Sequence, residues 1–347
     1  PELRNSDIIN LPGKSYPFKE LKDYRYTKHP KKILKLIQPY QLDIIHVHTE
    51  FGMGKVALNA SKKLNIPMIH TLHTMYEDYL QYISPFFDKH FHDVMFNKLV
   101  KMFIKKISEA STIEIVPTHK VLEVADKYYM SGDIRVLPTG IDLDEFDGKN
   151  FSFEAKENLK RKLNIPNDAF VFSYIGRTSA EKSIPTILNA FAKMKNNENC
   201  ILLIVGGGPQ LEELKNIAKE LQIFDKMRFT GLVDFDKISL FYQISNVFVN
   251  ASKSETQGLT YLEALSSSLP VLVQKDSCIL NVVEDYYNGI YFDGEEELAK
   301  KMDEILKAPS TLRKIKANTR PSVEQFSKEN FCKKMEALYQ ETIEKNK

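Results

Sequence analysis

Only three cysteines, Cys200, Cys278 and Cys332, occur among the 347 residues. Their odd number and wide spacing exclude a disulfide framework and match no metal-binding pattern, which favours a reducing cytoplasm. No apolar run is long enough to span a bilayer, and no secretory signal is visible. A formal net charge of +2 indicates no general attraction to nucleic acid. We therefore expect a cytoplasmic protein, soluble or peripheral, without a nucleic-acid partner.

Apolar runs of strand length alternate with helix-compatible stretches, and no repeat of about 20 to 50 residues occurs. Strands are predicted at 42–49, 66–73 and 111–118, and then in FVFSYIG, CILLIVGGG, KMRFTG, NVFVN and LPVLV. Such alternation is typical of parallel sheets with helices on both faces. The polar segment 146–170 separates the two sets. We predict an α/β fold of two Rossmann-like doubly wound domains, residues 1–155 and 156–347, that face each other across a ligand-binding cleft.

Glycine-rich phosphate loops are poorly represented. The turn IVGGGPQLEEL, residues 204–214, follows a predicted strand but lacks the GxGxxG spacing, so it is a weak signal by itself. No GxGxxG with a downstream acidic residue is visible, which disfavours a dinucleotide oxidoreductase.

The segment SKSETQGLTYLEALSSSLPV, residues 252–271, places Glu255 and Glu263 around the entrance of a predicted helix. A helix entrance offers free backbone N–H groups and a positive dipole end, which suit a phosphate. Glu263 lies about 40° around the helix from Leu259, beside the apolar stripe. A half-buried carboxylate needs hydrogen-bond donors, and sugar or ribose hydroxyls would supply them. The alternative is that Glu255 is an ordinary loop charge and Glu263 pairs with a nearby lysine.

Basic residues follow the first predicted strand of the second domain, in YIGRTSAEKS, residues 174–183. The planar fork of Arg177 and the mobile charge of Lys182 could together neutralise a departing diphosphate. Two solvated loop charges are the alternative.

Histidines cluster at predicted strand ends in the first domain, in HVHT (His46, His48) and HTLHT (His70, His73). An HxH with an HxxH could bind zinc, but no cysteine or carboxylate completes the set convincingly, so we expect no metal and mainly structural roles. His73 is the best candidate to touch substrate. The DxD in DLDEFD, residues 142–147, could hold a metal and a diphosphate, but its position favours a loop between domains.

Taken together, GRTSAEK, the E-x7-E of Glu255 and Glu263, LPTGID and IHVHTEFGMG resemble the retaining glycosyltransferases of family 4, whose fold is GT-B. The segment HTMYEDYLQYI, residues 73–83, is similar to bacterial enzymes that glucosylate diacylglycerol. The resemblance implies that Arg177 and Lys182 hold the donor diphosphate and Glu263 the ribose. It also implies that Glu255 holds the donor sugar, aided by the backbone of Gln257, Gly258 and Leu259, and that His73 contacts the transferred sugar.

The resemblance predicts a retaining hexosyltransferase that moves glucose from UDP-glucose to a diacylglycerol hydroxyl, without a cofactor or metal ion. A non-lipid acceptor, such as a sugar or a protein serine, is the alternative within enzymes. The family's glycine-rich loop after the first strand is not among these residues, and its absence from the protein would favour a nucleotide-sugar-binding module without turnover. We expect the start of the first domain to be incomplete here.

Residues 90–108, HFHDVMFNKLVKMFIKKIS, favour a helix lying in a lipid interface. Apolar residues line one face and Lys98, Lys101 and Lys105 another, while five lysines oppose one aspartate over residues 89–107. We expect this basic face to bind an anionic membrane surface, on the inner side of the cell membrane. A core helix with a solvated basic face is the alternative. The apolar face would comprise Phe96, Leu99, Val100, Phe103 and Ile107.

Overall fold

Two compact units make up the computed structural model, which describes residues 14–15, 25–26, 30–75 and 89–346. Unit 1 comprises Pro1–Pro138 with Lys333–Lys347, and unit 2 comprises Thr139–Cys332. This division differs from the predicted boundary after residue 155. Leu143 and Phe146 are buried in the core of unit 2, so the chain has already joined that core where the polar segment 146–170 begins.

Unit 1 contains a parallel four-stranded sheet in the order β3-β4-β5-β6. The two short strands β1 and β2 pair with each other in antiparallel fashion. The strands are β1 Lys14–Ser15, β2 Arg25–Tyr26, β3 Ile45–Val47, β4 Met68–Thr71, β5 Ile113–Val116 and β6 Asp133–Val136. The helices before the unit boundary are α1 Pro30–Ile37, α2 Met53–Leu64, α3 Lys89–Ser108 and α4 His119–Glu123.

Unit 2 contains a parallel six-stranded sheet in the order β12-β11-β10-β7-β8-β9. Its strands are β7 Phe170–Ile175, β8 Cys200–Val205, β9 Met227–Phe229, β10 Val247–Asn250, β11 Val271–Gln274 and β12 Gly289–Phe292. The helices are α5 Phe153–Lys162, α6 Ile184–Lys193, α7 Leu211–Glu220, α8 Phe235–Gln243, α9 Leu259–Ser266, α10 Glu295–Lys307 and α11 Pro309–Ser322. The last helix, α12 Lys328–Lys345, follows them along the chain.

Both faces of the second sheet are buried, as the near-continuous apolar strands require. Along β7, Val171 belongs to one core cluster and Phe172 to the other, because successive side chains point to opposite faces. On one face the sheet packs against Leu262 of α9, and on the other against Ile187 of α6. The predicted α/β class with two parallel-sheet domains is therefore confirmed.

Every predicted strand contains or overlaps an observed one, and four observed strands were not predicted, namely β1, β2, β6 and β12. Each lies at the edge of its sheet, where it pairs on one side only. The residues of β6 are all half-buried. Asp133 and Arg135 interrupt the apolar residues of β6, so this strand lacks the continuous apolar run that marked the central strands.

Helix α3 confirms the predicted helix but corrects part of its lipid-facing stripe. Val100 and Ile107 are 1% exposed and belong to the core of unit 1, so neither can reach a lipid surface. The side chain of Phe96 lies outside the described part of the molecule. Exposed residues of this helix are both apolar and basic, namely Lys98, Leu99, Met102, Lys105 and Lys106.

Across the residues that the structure describes, no helix has the length and apolar character needed to cross a membrane. The segment 76–83, which narrowed the resemblance, also lies outside the described residues.

Candidate active site

The loops that carry Arg177, Lys182 and Glu255 follow two neighbouring strands of the unit 2 sheet. Strands β7 and β10 are parallel neighbours from which the chain continues in opposite directions across the sheet. The loop with Arg177 follows β7, and the loop with Glu255 follows β10. The carboxyl ends of such a pair of strands form the switch point where open α/β sheets bind ligands. The topology therefore gathers these loops where a nucleotide would bind.

Lys182 and Glu255 form a direct ion pair, with 2.8 Å between Nζ and Oε1. Their side chains are only 16% and 14% exposed. Glu255 is therefore not the ordinary loop charge that the sequence left open as an alternative. The ion pair with Glu255 keeps the Lys182 side chain oriented. An ammonium group can donate to more than one anion, so Lys182 could contact a phosphate and Glu255 at the same time.

Arg177 is exposed at the end of β7, and its backbone carbonyl accepts a hydrogen bond of 2.8 Å from the buried hydroxyl of Tyr174. This bond anchors the backbone of the loop at Arg177. The arrangement suits a side chain that must meet an external anion.

Glu263 is half-buried on α9, and its Oε2 accepts a 2.7 Å hydrogen bond from the hydroxyl of Tyr242. Burial raises the pKa of the Glu263 carboxyl, the hydrogen bond from Tyr242 opposes that change, and the charge of Glu145 adds to it. The prediction that Glu263 is no ordinary solvent-facing charge is consistent with this position.

The helix entrance between the two carboxylates depends on Gly258, which has a φ of +71°. A Cβ at this position would lie 2.3 Å from the ring of Tyr261, so both the conformation and the space exclude a side chain. The first N–H groups of a helix have no intrahelical acceptor. Leu259 is 40% exposed, so it does not belong to the buried stripe that Leu262 and Leu265 form.

Gln257 has a structural use for its side chain. Its amide accepts a hydrogen bond from the backbone N–H of Thr139 at 2.9 Å and donates one to the carbonyl of the same residue at 2.8 Å. Gln257 is 5% exposed. The amide therefore ties the loop after β10 to the first residue of unit 2, and only its backbone remains for a ligand.

The glycine-rich turn 206–208 supports the Arg177 loop. A Cβ on Gly206 would lie 1.9 Å from the carbonyl oxygen of Gly176, and one on Gly208 would lie 2.3 Å from that of Thr178. The N–H of Thr178 donates to the carbonyl of Gly207 at 3.0 Å. Glycine is needed here because two backbones pack in direct contact.

The histidines of unit 1 lie at the carboxyl ends of β3 and β4. His48 Nδ1 is 2.9 Å from His73 Nε2, and burial lowers the pKa of both imidazoles. His46 contacts Thr71 at 2.7 Å and Tyr339 at 2.8 Å. Burial, together with the neighbouring histidines, lowers the pKa of His46 to about 3. These three rings are therefore neutral at physiological pH.

His70 differs, because both of its ring nitrogens contact carboxylates. Nδ1 is 2.8 Å from Glu114 Oε2 and Nε2 is 3.2 Å from Glu50 Oε1, and all three residues are at most 2% exposed. Burial alone would lower the pKa of His70, but hydrogen bonds to Glu114 and Glu50 raise it to about 9. Glu114 and Glu50 thus join the histidine cluster as hydrogen-bond partners of His70, which the sequence pattern did not indicate. Within the described ranges no group of three or more metal-ligating side chains is placed to hold an ion.

Both aspartates of the DxD motif form ion pairs with basic residues of the protein. Asp142 pairs with Lys328, and Asp144 pairs with Arg320 at 3.1 Å. These contacts fit the prediction that DLDEFD is a loop.

Comparison with known proteins agrees with this geometry. The sequence profile described as Glycosyltransferase Family 4 matches residues 1–145, and the profile described as Glycosyl transferases group 1 matches residues 155–321. An alpha-monoglucosyldiacylglycerol synthase of Acholeplasma laidlawii is 36% identical over 98% of this chain and 85% of its own length. The chain belongs to glycosyltransferase family 4.

The glycosyltransferase is similar to a second alpha-monoglucosyldiacylglycerol synthase, from Streptococcus pneumoniae, with 35% identity over 98% of this chain and 75% of the relative. Its fold resembles that of Anabaena HepE, solved with UDP and glucose, with a TM-score of 0.75. That likeness covers 91% of this chain and 83% of HepE at 17% identity. WaaG, a glycosyltransferase involved in lipopolysaccharide biosynthesis, gives a TM-score of 0.71 over 98% and 88% of the two chains at 14% identity. The glycosyltransferase thus has the GT-B fold.

Sequence reasoning missed three residues of the glycosyltransferase that contact candidate site residues or the histidine cluster. They are Tyr242, Glu50 and Glu114. Tyr242 lies in a largely apolar helix and Glu114 lies within a strand, and neither position marks a residue as functional in the sequence. Only the histidine pattern pointed to the region that Glu50 and Glu114 share.

Proposed function

We propose that this glycosyltransferase transfers glucose from UDP-glucose to a hydroxyl of 1,2-diacylglycerol, with retention of configuration. One observation carries the proposal: Lys182 and Glu255 pair at the switch point of unit 2, in a chain whose two synthase relatives align over 98% of it. The relatives' names support the acceptor and the sugar. The geometry supports a donor with both a diphosphate and hydroxyl-bearing rings.

In this proposal the diphosphate binds between the N-terminus of α9 and the cations Arg177 and Lys182. As the bond from the sugar to the diphosphate breaks, negative charge grows on the departing phosphate, and cations positioned there stabilise the transition state more than the ground state. The sugar passes through an ion-pair-like state and is captured on the same face by the acceptor hydroxyl, whose proton passes to the departing phosphate oxygen.

The carboxylates have separate tasks. Glu263 accepts hydrogen bonds from the ribose hydroxyls, and Glu255 accepts from hydroxyls of the transferred sugar while orienting Lys182. The backbone of Gln257, Gly258 and Leu259 supplies donors at the helix entrance. His73 is proposed to contact the transferred sugar as a neutral imidazole, in line with its lowered pKa, for which burial is the largest cause.

We further propose that the enzyme binds as a peripheral protein to the anionic, cytoplasmic surface of a membrane, where its acceptor is dissolved. The exposed lysines of α3 and the neighbouring Leu99 and Met102 support this, since charge and apolar contact together hold a helix at a lipid interface.

A transfer assay tests the chemistry. The protein is incubated with UDP-glucose, UDP-galactose or GDP-glucose and vesicles containing diacylglycerol, with and without a chelator. We expect a glucolipid only from UDP-glucose, an α-linkage by proton NMR, and no effect of the chelator. Transfer to soluble sugar or peptide would redirect the acceptor, and nucleotide binding without product or hydrolysis would indicate a binding module.

A further inference from the structure

Tyr242 places a phenol hydroxyl within the apolar core of unit 2. The side chain is 1% exposed, and its ring packs edge-on against Phe146 at 5.9 Å and tilted against Phe248 at 6.0 Å. A phenylalanine would fill this space without the cost of removing a hydroxyl from water. The hydroxyl is accounted for by one contact, the 2.7 Å hydrogen bond that it donates to Glu263.

Glu263 depends on that donor. The carboxylate is half-buried, its partner among the described contacts is Tyr242, and the neighbouring charge acting on it is the negative Glu145. Burial raises the pKa of Glu263 and Glu145 adds to the rise, whereas the hydrogen bond from Tyr242 favours the ionised form. Burial also raises the pKa of the Tyr242 phenol well above its ordinary value, so that it remains a donor.

We propose that Tyr242 is a positioning residue for nucleotide binding: its hydroxyl holds Oε2 of Glu263, so that Oε1 is presented to the two hydroxyls of a ribose. This inference rests on the proposed function, in which Glu263 binds the ribose. The core rings fix the position of the phenol, the phenol fixes the carboxylate, and the carboxylate meets the ligand. Replacing Tyr242 should then act on donor affinity through Glu263 and leave the leaving-group chemistry at Arg177 and Lys182 nearly intact.

The test measures the dissociation constant of UDP by calorimetry between pH 5 and 8 for the full chain and four variants. They are Tyr242→Phe, Glu263→Gln, the double variant, and Tyr291→Phe as a matched control. Tyr291 also donates its hydroxyl within unit 2, to the backbone carbonyl of Val283, but it lies on the edge strand β12, which β11 separates from β10. Thermal melts establish that each variant is folded.

We expect Tyr242→Phe to weaken UDP binding by about tenfold, the range of one hydrogen bond to a charged group. The acid limb of UDP affinity should move to higher pH, because the opposing influence on the Glu263 pKa is gone. The double variant should bind UDP as Glu263→Gln does, and Tyr291→Phe as the parent does. If transfer activity is found, the donor KM should rise while kcat changes less than twofold.

Unchanged UDP affinity in folded Tyr242→Phe would overturn the inference. The inference would also fail if the losses of UDP affinity in the two single variants multiplied in the double variant. It would fail as well if Tyr291→Phe lost as much UDP affinity as Tyr242→Phe and neither variant shifted the acid limb. These outcomes differ from failure of the proposed function. A parent protein that binds UDP but glucosylates no lipid refutes only the acceptor, whereas a parent that binds no UDP refutes both the donor and the role of Tyr242.

Discussion

The buried imidazole of His70 makes the stability of unit 1 depend on pH in a direction opposite to that of its histidine neighbours. Its pKa rises from 6.5 to about 9 in the fold, where Glu114 and Glu50 hold the charged form against the effect of burial. A folded-state pKa above the unfolded value contributes stability that is fully present below pH 6.5 and lost as the pH rises through 9. A shift of this size corresponds to about 3 kcal/mol.

The assay is urea unfolding, followed by circular dichroism, at pH 6.5 and pH 9.5. We expect the free energy of unfolding to fall by about 3 kcal/mol between the two conditions from this group. Burial raises the pKa of the Cys200 thiol to about 11, so the contribution of Cys200 to the free energy of unfolding also declines over part of this pH range. That contribution must be subtracted. The variant Glu114→Gln provides the subtraction, since its amide oxygen can still accept from the His70 ring and Cys200 is unchanged.

In Glu114→Gln one of the two carboxylates that raise the His70 pKa is gone. The decline between pH 6.5 and 9.5 should shrink by roughly half, while stability at pH 6.5 falls by about 2 kcal/mol through the lost charged hydrogen bond. Equal pH dependence in parent and variant would refute the assignment of a charged His70, as would a parent whose stability does not decline.

Three other predictions concern the proposed site and surface. Glu263→Ala should weaken UDP binding by about 1.5 to 3 kcal/mol, measured by calorimetry, and unchanged affinity in a folded variant would remove Glu263 from the site. Gly258→Ala should lower the free energy of unfolding by about 1 to 3 kcal/mol, because its φ is +71° and Tyr261 occupies the added space; an unchanged urea midpoint would contradict this. Replacing Lys98, Lys101 and Lys105 with glutamate should weaken the salt-sensitive binding of the protein to anionic vesicles and leave its thermal melt unchanged. Equal vesicle binding by the variant and the parent would contradict the peripheral role.

The sequence by itself determined the fold class and the local units. Central strands such as Cys200–Val205 are buried on both faces and therefore appear as continuous apolar runs, which a sequence shows directly. The strand-loop-helix unit around Glu255 and Glu263 was equally visible, since spacing along one helix follows from its period. The edge strand Asp133–Val136 was not visible, because the charged residues Asp133 and Arg135 alternate with its apolar ones and all four residues are only half-buried.

Only the tertiary structure decided which side chains meet. Lys182 and Glu255 are 73 residues apart, yet adjacent parallel strands bring their loops into contact. Glu114 reaches His70 across 44 residues, because β4 and β5 are neighbours with these two residues paired in register. Tyr242 reaches Glu263 because two helices pack on the same face of one sheet. Such pairings depend on strand order and packing register, which arise from the summed burial of the whole core and leave no mark on the few residues involved.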